Sequence, residues 1–175
     1  MTQLNQKSDL QVQDLPFEGK FSLRCRADNL AAVGKALALD LPTRIGDVVE
    51  AGGRKAICLG PDEWTIFCSD EDRPSIRKAG EDVYETAIHS LVDVSFRELG
   101  LSISGADAAA LINTSCPRDL SAIAVGRGTR TLFDTAQVVL LREGENAFRM
   151  YVWRSFYPHV RQLLSVGETE FAAGL

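Results

Sequence analysis

Between Ser90 and Ile112 the apolar period changes from two to helical across one short turn. Leu99, Leu101 and Ile103 alternate with Glu98, Gly100 and Ser102, the pattern of a half-buried strand. Gly105-Ala106-Asp107 then opens a small-residue helix that runs through Ile112. A strand that feeds straight into a helix has to bury both apolar faces in one layered core, which points to an α+β domain. The same order occurs earlier, where Ser22-Leu23-Arg24-Cys25-Arg26-Ala27-Asp28 reads as strand, small residue, aspartate, helix. An old duplication and common strand-to-helix grammar explain this recurrence equally well.

Read outward from these two anchors, the chain divides into four parts. Residues 1–16 are polar and form a flexible lead. Residues 17–95 read β-α-β-β-α-β. Phe21, Leu23 and Cys25 alternate in a first strand, and Asp28 caps a helix whose stripe is Leu30, Val33 and Leu37. Leu41-Pro42 ends that helix, and a short strand is expected at residues 47–50. Strands at 54–59 and 63–68 are joined by Gly60-Pro61-Asp62, in which proline fixes φ and aspartate bonds neighbouring backbone. A helix from about Glu71, with Pro74 in its first turn and an apolar face at Ile76, Ala79, Val83 and Ala87, leads to a strand at 88–95. This is the ferredoxin-like sequence of elements.

Residues 96–166 repeat the scheme as β-α-β-β-β-α. After the strand and helix at 99–112 come a helical turn near 119–122 and strands at 129–133, 137–142 and 148–154. Ser155 caps a last helix with Phe156, Val160, Leu163 and Leu164 on one face. Residues 167–175 read as a tail.

The 175 residues carry a formal net charge of −5, and 45% are hydrophobic, so a core needs no staple and a nucleic-acid partner is disfavoured. No run approaches the roughly 18 apolar residues of a membrane helix, and no signal segment is visible, so a cytoplasmic protein is expected. The four cysteines, Cys25, Cys58, Cys68 and Cys116, contain no Cys-x-x-Cys pair and read as buried thiols. Cys58 and Cys68 count unequally from their turn and cannot face each other.

The usual catalytic patterns do not assemble. Gly126-x-Gly128 precedes a strand and lacks the third glycine of a dinucleotide loop. His89 and His159, the two histidines, have no metal-ligand spacing. Cys116 has no nameable base beside it. Asp62-Glu63 and Glu81-Asp82 fall in a turn and on a helix face, where solvated charge is the default. Asp93 and Ser95 lie on one side of an extended segment, either bonding neighbouring backbone or reaching a partner chain. Arg118, Arg127 and Arg130 cluster with Asp119 and Asp134 among them, which reads as a local ion-pair surface or, alternatively, an anion site. Tyr151, Trp153 and Tyr157 are aromatic anchors if one face is an interface, and otherwise pack under the last helix.

Three blocks carry a family resemblance: Ser90–Ile112 followed by Cys116-Pro117-Arg118-Asp119-Leu120, then Leu59-Gly60-Pro61-Asp62-Glu63-Trp64, and Arg130-Thr131-Leu132 through Arg154-Ser155-Phe156. Their order resembles the folate-binding half of aminomethyltransferases. Their wording is closer to one branch of that superfamily, the gamma subunits of heterotetrameric sarcosine oxidase. The resemblance implies two fused βαββ-type halves and no catalytic, cofactor-binding or metal residues in this chain. It further implies a hetero-oligomer with a large alpha subunit that oxidises sarcosine with O2 to glycine and H2O2, and with tetrahydrofolate gives methylene-tetrahydrofolate. FAD, FMN and NAD would belong to the partner subunits. In relatives that transfer one-carbon groups an acidic pair follows the Thr-Leu strand; here Asp134-Thr135-Ala136-Gln137 lacks it. Asp93, Ser95, Arg118, Arg130, Tyr151, Trp153 and Tyr157 are the candidate subunit-interface residues. A stand-alone folate-binding or aminomethyltransferase-like protein is the alternative, and an interaction module for another complex is a third.

Overall fold

A computed structural model describes residues 9–174. They form two antiparallel five-stranded sheets, each with its own helices and its own hydrophobic core. The chain groups into two units, residues 16–97 with 127–129, and residues 98–126 and 130–174 with residues 9–15.

The first unit holds β2 (Gly19–Cys25), α1 (Ala27–Ala36), β3 (Val48–Ala51), β4 (Arg54–Gly60), β5 (Glu63–Cys68), α2 (Arg73–Val83) and β6 (His89–Asp93). Its strands lie in the order β3-β4-β5-β2-β6. Thus β5 sits antiparallel between β2 and β4, and β6 flanks β2 on the other side. The alternation read at Phe21, Leu23 and Cys25 sends these side chains to the helices, where they pack with Leu30, Val33, Trp64, Ile66 and Ile76. Each such side chain, once removed from water, contributes roughly 1.5–3 kcal/mol before the entropy of ordering is counted. Pro61-Asp62 makes a tight hairpin with Gly60 opposite Glu63. Cys58 lies across from Trp64 and Cys68 across from Gly19.

Polar contacts pin the helix ends. Arg54 donates through Nε and Nη2 to the Asp72 carboxylate at 2.5 and 2.8 Å, and through Nη1 to the Leu37 carbonyl at 2.8 Å. One guanidinium therefore ties the start of α2 to the end of α1. Trp64 fills the core and donates Nε1–H to the Pro42 carbonyl at 2.7 Å. Asp28 is not the cap of α1. Arg26 occupies that position in extended geometry without a side-chain bond, and Asp28 stands in the first turn, where a negative charge suits the helix dipole.

The second unit holds β1 (Gln11–Asp14), β7 (Glu98–Ser104), α3 (Ala108–Asn113), a 3-10 turn (Leu120–Ala122), β8 (Arg127–Phe133), β9 (Ala136–Gly144), β10 (Ala147–Trp153) and α4 (Tyr157–Ala173). The first three residues of β8 group with the first unit. The strand order is β1-β7-β10-β9-β8. Here β10 lies between β7 and β9, as β5 lies between β2 and β4. Among the described residues no strand follows α4, and β1 occupies beside β7 the place that β6 occupies beside β2. Leu101, Ile103, Leu140, Met150 and Val152 join Leu111, Val160 and Leu164 in the core. Helices α3 and α4 approach so closely that a Cβ on Gly167 would lie 2.3 Å from Leu111 Cδ1, which is why a glycine stands there.

Three further sequence expectations are corrected. Residues 1–8 of the expected lead lie outside the described residues, but residues 11–14 are a strand in register with β7, Val12 opposite Ile103. Backbone hydrogen bonds and one inward side chain, Val12 at 7% exposure, suffice to hold an edge strand whose sequence is otherwise polar. Gly105 (φ +117°) lets the chain pass against Asp9 and Leu10, where a Cβ would come within 2.8 Å of backbone. The expected tail is largely helix: α4 continues to Ala173, because Gly167 and Phe171 extend the stripe of Val160 and Leu164. Ser155 does not cap α4; Phe156 precedes its first residue and makes no capping bond.

Val12→Asp buries a carboxylate in this core and is expected to cost at least about 3 kcal/mol in urea unfolding of the chain. An unchanged midpoint would mean that residues 9–15 are dispensable.

Candidate functional site

Among the described residues no group of three or more His, Cys, Asp or Glu side chains is placed to hold a metal ion. The four thiols are buried and unlinked. Burial pushes Cys25 and Cys58 above the ordinary thiol value and Cys68 to about 11, so these sulfurs stay protonated at neutral pH. Cys25 and Cys58 donate their S–H to the carbonyls of Arg26 and Gly60. Cys116 packs in the second core, 3.8 Å from Thr131 Oγ1. His89 is buried and its Nδ1–H donates to the Ala87 carbonyl at 2.7 Å. His159 Nε2–H donates to Asp134 Oδ2 at 2.7 Å, fastening the β8–β9 turn to α4. That pairing is the main reason the Asp134 carboxyl lies below the usual carboxylate range. Asp134 itself adopts a left-handed backbone (φ +52°), which aspartate tolerates better than most residues.

The densest polar cluster surrounds Asp93 and Ser95, just past the end of β6. Asp93 Oδ1 accepts from the Ser95 N–H at 3.0 Å and the Ser95 hydroxyl at 2.5 Å. Oδ2 accepts from Arg73 Nε and Nη2 at 3.2 and 2.9 Å, and from Arg77 Nη2 at 3.1 Å. Ser95 Oγ in turn accepts the Lys20 backbone N–H at 2.9 Å, and the Lys20 carbonyl takes the Val94 N–H at 2.8 Å. The cluster thus joins the start of β2, the end of β6 and the first turns of α2. Burial alone would raise the Asp93 pKa; the bonds from Ser95 and Arg73 more than reverse this and bring it down to about 2. The carboxylate accepts from five donors at once. Arg73 also bonds Asp70 and lies over the rings of Phe17 and Phe96, its guanidinium carbon 5.6 and 5.4 Å from their centroids.

The remaining sequence candidates do not gather at this cluster. Arg118 is exposed in the loop after α3, where its carbonyl accepts from Asn113 Nδ2 at 2.7 Å. Arg130 is exposed on β8. Tyr151 is buried at 1% exposure, and its hydroxyl accepts from Arg149 Nη1 at 3.3 Å, so it presents no free surface. Trp153, two residues further along β10, is 41% exposed. Tyr157 is half-buried and its hydroxyl donates to Asp14 of β1. Sequence reasoning passed over Arg73, Arg77, Phe17 and Phe96. The four-residue spacing of two arginines on α2 was a legible sign of a shared anion; the phenylalanines flank strands, and no local pattern marks them.

Asp93→Asn leaves two arginines and a serine without their ionic acceptor, and is expected to lower stability by about 1–2 kcal/mol at neutral pH, allowing for partial solvent screening. The sign follows from the depressed pKa. The wild-type advantage is complete above the unfolded value near 4 and disappears as pH falls toward about 2, so wild type and variant converge in acid. Urea midpoints at pH 7, 4 and 2.5 check this; parallel curves would remove the ionic role.

Residues 25–168 match the model of the family described as "Sarcosine oxidase, gamma subunit family". A sarcosine oxidase subunit gamma from an Arthrobacter species is 31% identical over 148 residues, which covers 82% of this chain and 71% of that protein. Among solved structures, a chain of the heterotetrameric sarcosine oxidase from Corynebacterium sp. U-96, in complex with pyrrole 2-carboxylate, superposes with a TM-score of 0.87 at 25% identity. The match covers 95% of this chain and 87% of that one. The glycine cleavage system aminomethyltransferase T from Bartonella henselae shares the fold, with a TM-score of 0.70 at 10% identity, over 91% of this chain and 46% of that one.

Proposed function

The chain belongs to the sarcosine oxidase gamma subunit family, and from that membership we propose that it is a non-catalytic subunit of a heterotetrameric sarcosine oxidase. The observation that carries this reading is the family match across residues 25–168, together with the likeness to a chain of a solved heterotetrameric oxidase along nearly its whole length. The complex would oxidise sarcosine with O2 and tetrahydrofolate to glycine, H2O2 and methylene-tetrahydrofolate in the cytoplasm. FAD, FMN, NAD and the folate would lie in the other subunits, with the large alpha subunit as the main contact. Each half would be a ferredoxin-like βαββ unit of the kind found in aminomethyltransferase folate domains; the strand orders support this.

The residues of this chain do not fit a folate site of the transferase type. The β8–β9 turn carries one carboxylate, Asp134, and it is half-exposed and bonded to His159 and Thr135. No step is therefore assigned to residues here. Of the seven interface candidates, Arg118, Arg130 and Trp153 present exposed side chains and are retained as contact residues. Asp93, Ser95 and Tyr151 are engaged within their own units, and Tyr157 steadies β1.

Affinity-tagged chain, co-expressed with the large subunits encoded beside it, is expected to retain flavin-containing partners through purification. Recovery of the chain alone would count against the reading. Calorimetric titration of the isolated chain with tetrahydrofolate is expected to show no binding heat; a saturable heat would favour a folate-binding protein instead.

A further inference from the structure

Strand β6 closes one end of its sheet and pairs on one side only, with β2. The bond from Val94 N–H to Lys20 O fixes the alternation, so the backbone groups of His89, Leu91 and Asp93 point away from β2. Natural sheets blunt such edges with charges, proline or bulges. The edge strand β3 carries Glu50, paired to Lys55 at 2.5 Å. In β6 the single charged residue, Asp93, turns its carboxylate inward onto Arg73 and Ser95, while Val92 is left 52% exposed. Within β6 itself no outward charge, proline or bulge blunts the edge.

What borders the edge defines the occupant. Helix α2 overhangs it and leaves a groove of about 410 Å³ lined by Arg77, Gly80, Glu81 and Tyr84 on one wall and His89 and Leu91 on the other. A strand added to β6 would direct every second side chain into this groove. Arg77 stands at the Asp93 end and Glu81 toward the His89 end, so the groove has a charge order as well as a shape. Arg77 shares Asp93 Oδ2 with two N–H groups of Arg73, and its side chain remains 57% exposed. A carboxylate from outside complements it there. Tyr84, 48% exposed, offers an apolar wall for an aliphatic side chain. Just beyond the strand, the Phe17–Phe96 pair is exposed at 43% and 62%, with its rings 5.1 Å apart and Arg73 across both, the aromatic and arginine chemistry that dominates protein interfaces.

We propose that the open edge of β6 receives an extended strand of another oxidase subunit, one that places an aliphatic side chain against Tyr84 and a carboxylate at Arg77. This rests on the reading of the chain as an oxidase subunit. A different subunit is the occupant because the similar solved chain belongs to a heterotetramer.

The test compares amide hydrogen exchange over residues 88–97 in the isolated chain and in the co-purified complex, with Val92→Lys and Arg77→Gln alongside. Slower exchange at His89, Leu91 and Asp93 in the complex supports the proposal. So does a loss of partner retention of about tenfold in Val92→Lys, and a smaller loss in Arg77→Gln, when the melting temperature of the isolated Val92→Lys chain is unchanged. A complex that forms with β6 exchange unaltered, or that retains both variants like wild type, overturns the edge as the docking site and leaves the subunit reading standing. An isolated chain that is a dimer with β6 already protected overturns the choice of occupant in favour of a second copy. Failure of the wild-type chain to retain any large subunit overturns the subunit reading, and the proposal with it.

Discussion

The insertion of β5 between β2 and β4, and of β10 between β7 and β9, is the constraint from which each half takes its form. A strand can enter between two others only if the connections on either side cross the sheet, and the helices α1 and α2 in one unit, and α3 in the other, are those crossings. They lie on one face, which is why Phe21, Leu23 and Cys25, like Leu101 and Ile103, must point the same way. The same interleaving makes β2 pair with β5 and β6, and β7 with β1 and β10, across long stretches of sequence, while the other pairings are hairpins between consecutive strands. Cohesion then rests on burial and on a few polar pins, among them Arg54 between the helix ends and Ser95 at the head of β2.

Chemistry follows from this arrangement mainly by being absorbed into it. Asp93 is the most strongly ionised carboxylate of the cluster at the end of β6, yet all its neighbours are donors that stabilise its charge. A general base works best with a pKa near working pH, and this carboxylate lies far below it. Burial displaces the Cys25, Cys58 and Cys68 thiols in the opposite direction, which keeps them protonated.

The central strands and their helices were readable because a strand buried against helices must alternate, and a helix that covers it must repeat near 3.6. Phe21–Cys25, the hairpin at Pro61-Asp62 and the stripe of Ile76 are direct consequences. The three motif blocks pointed to the family because they sit on those strands and turns. Strand β1 was not readable, since Gln11-Val12-Gln13-Asp14 holds one apolar residue and its pairing partner lies far along the chain. Tyr151 alternates with the core residues Met150 and Val152 on β10 and is nevertheless buried, which alternation alone does not signal, because a strand can be covered on both faces. The Asp93 cluster was half legible: the serine lies two residues away, but the arginines come from another element, and proximity across elements leaves no local trace.

One consequence concerns order in time. The segment that borders β7 is translated long before β7 itself, whereas the corresponding border of β2 emerges soon after α2. The earlier half can therefore complete its sheet while synthesis continues. The later half stays short of one strand until Leu101–Ser104 is made and the waiting N-terminal residues come back to it. For that interval the nascent chain carries β1 without its partner, and whatever shields that segment sets how safely the protein matures.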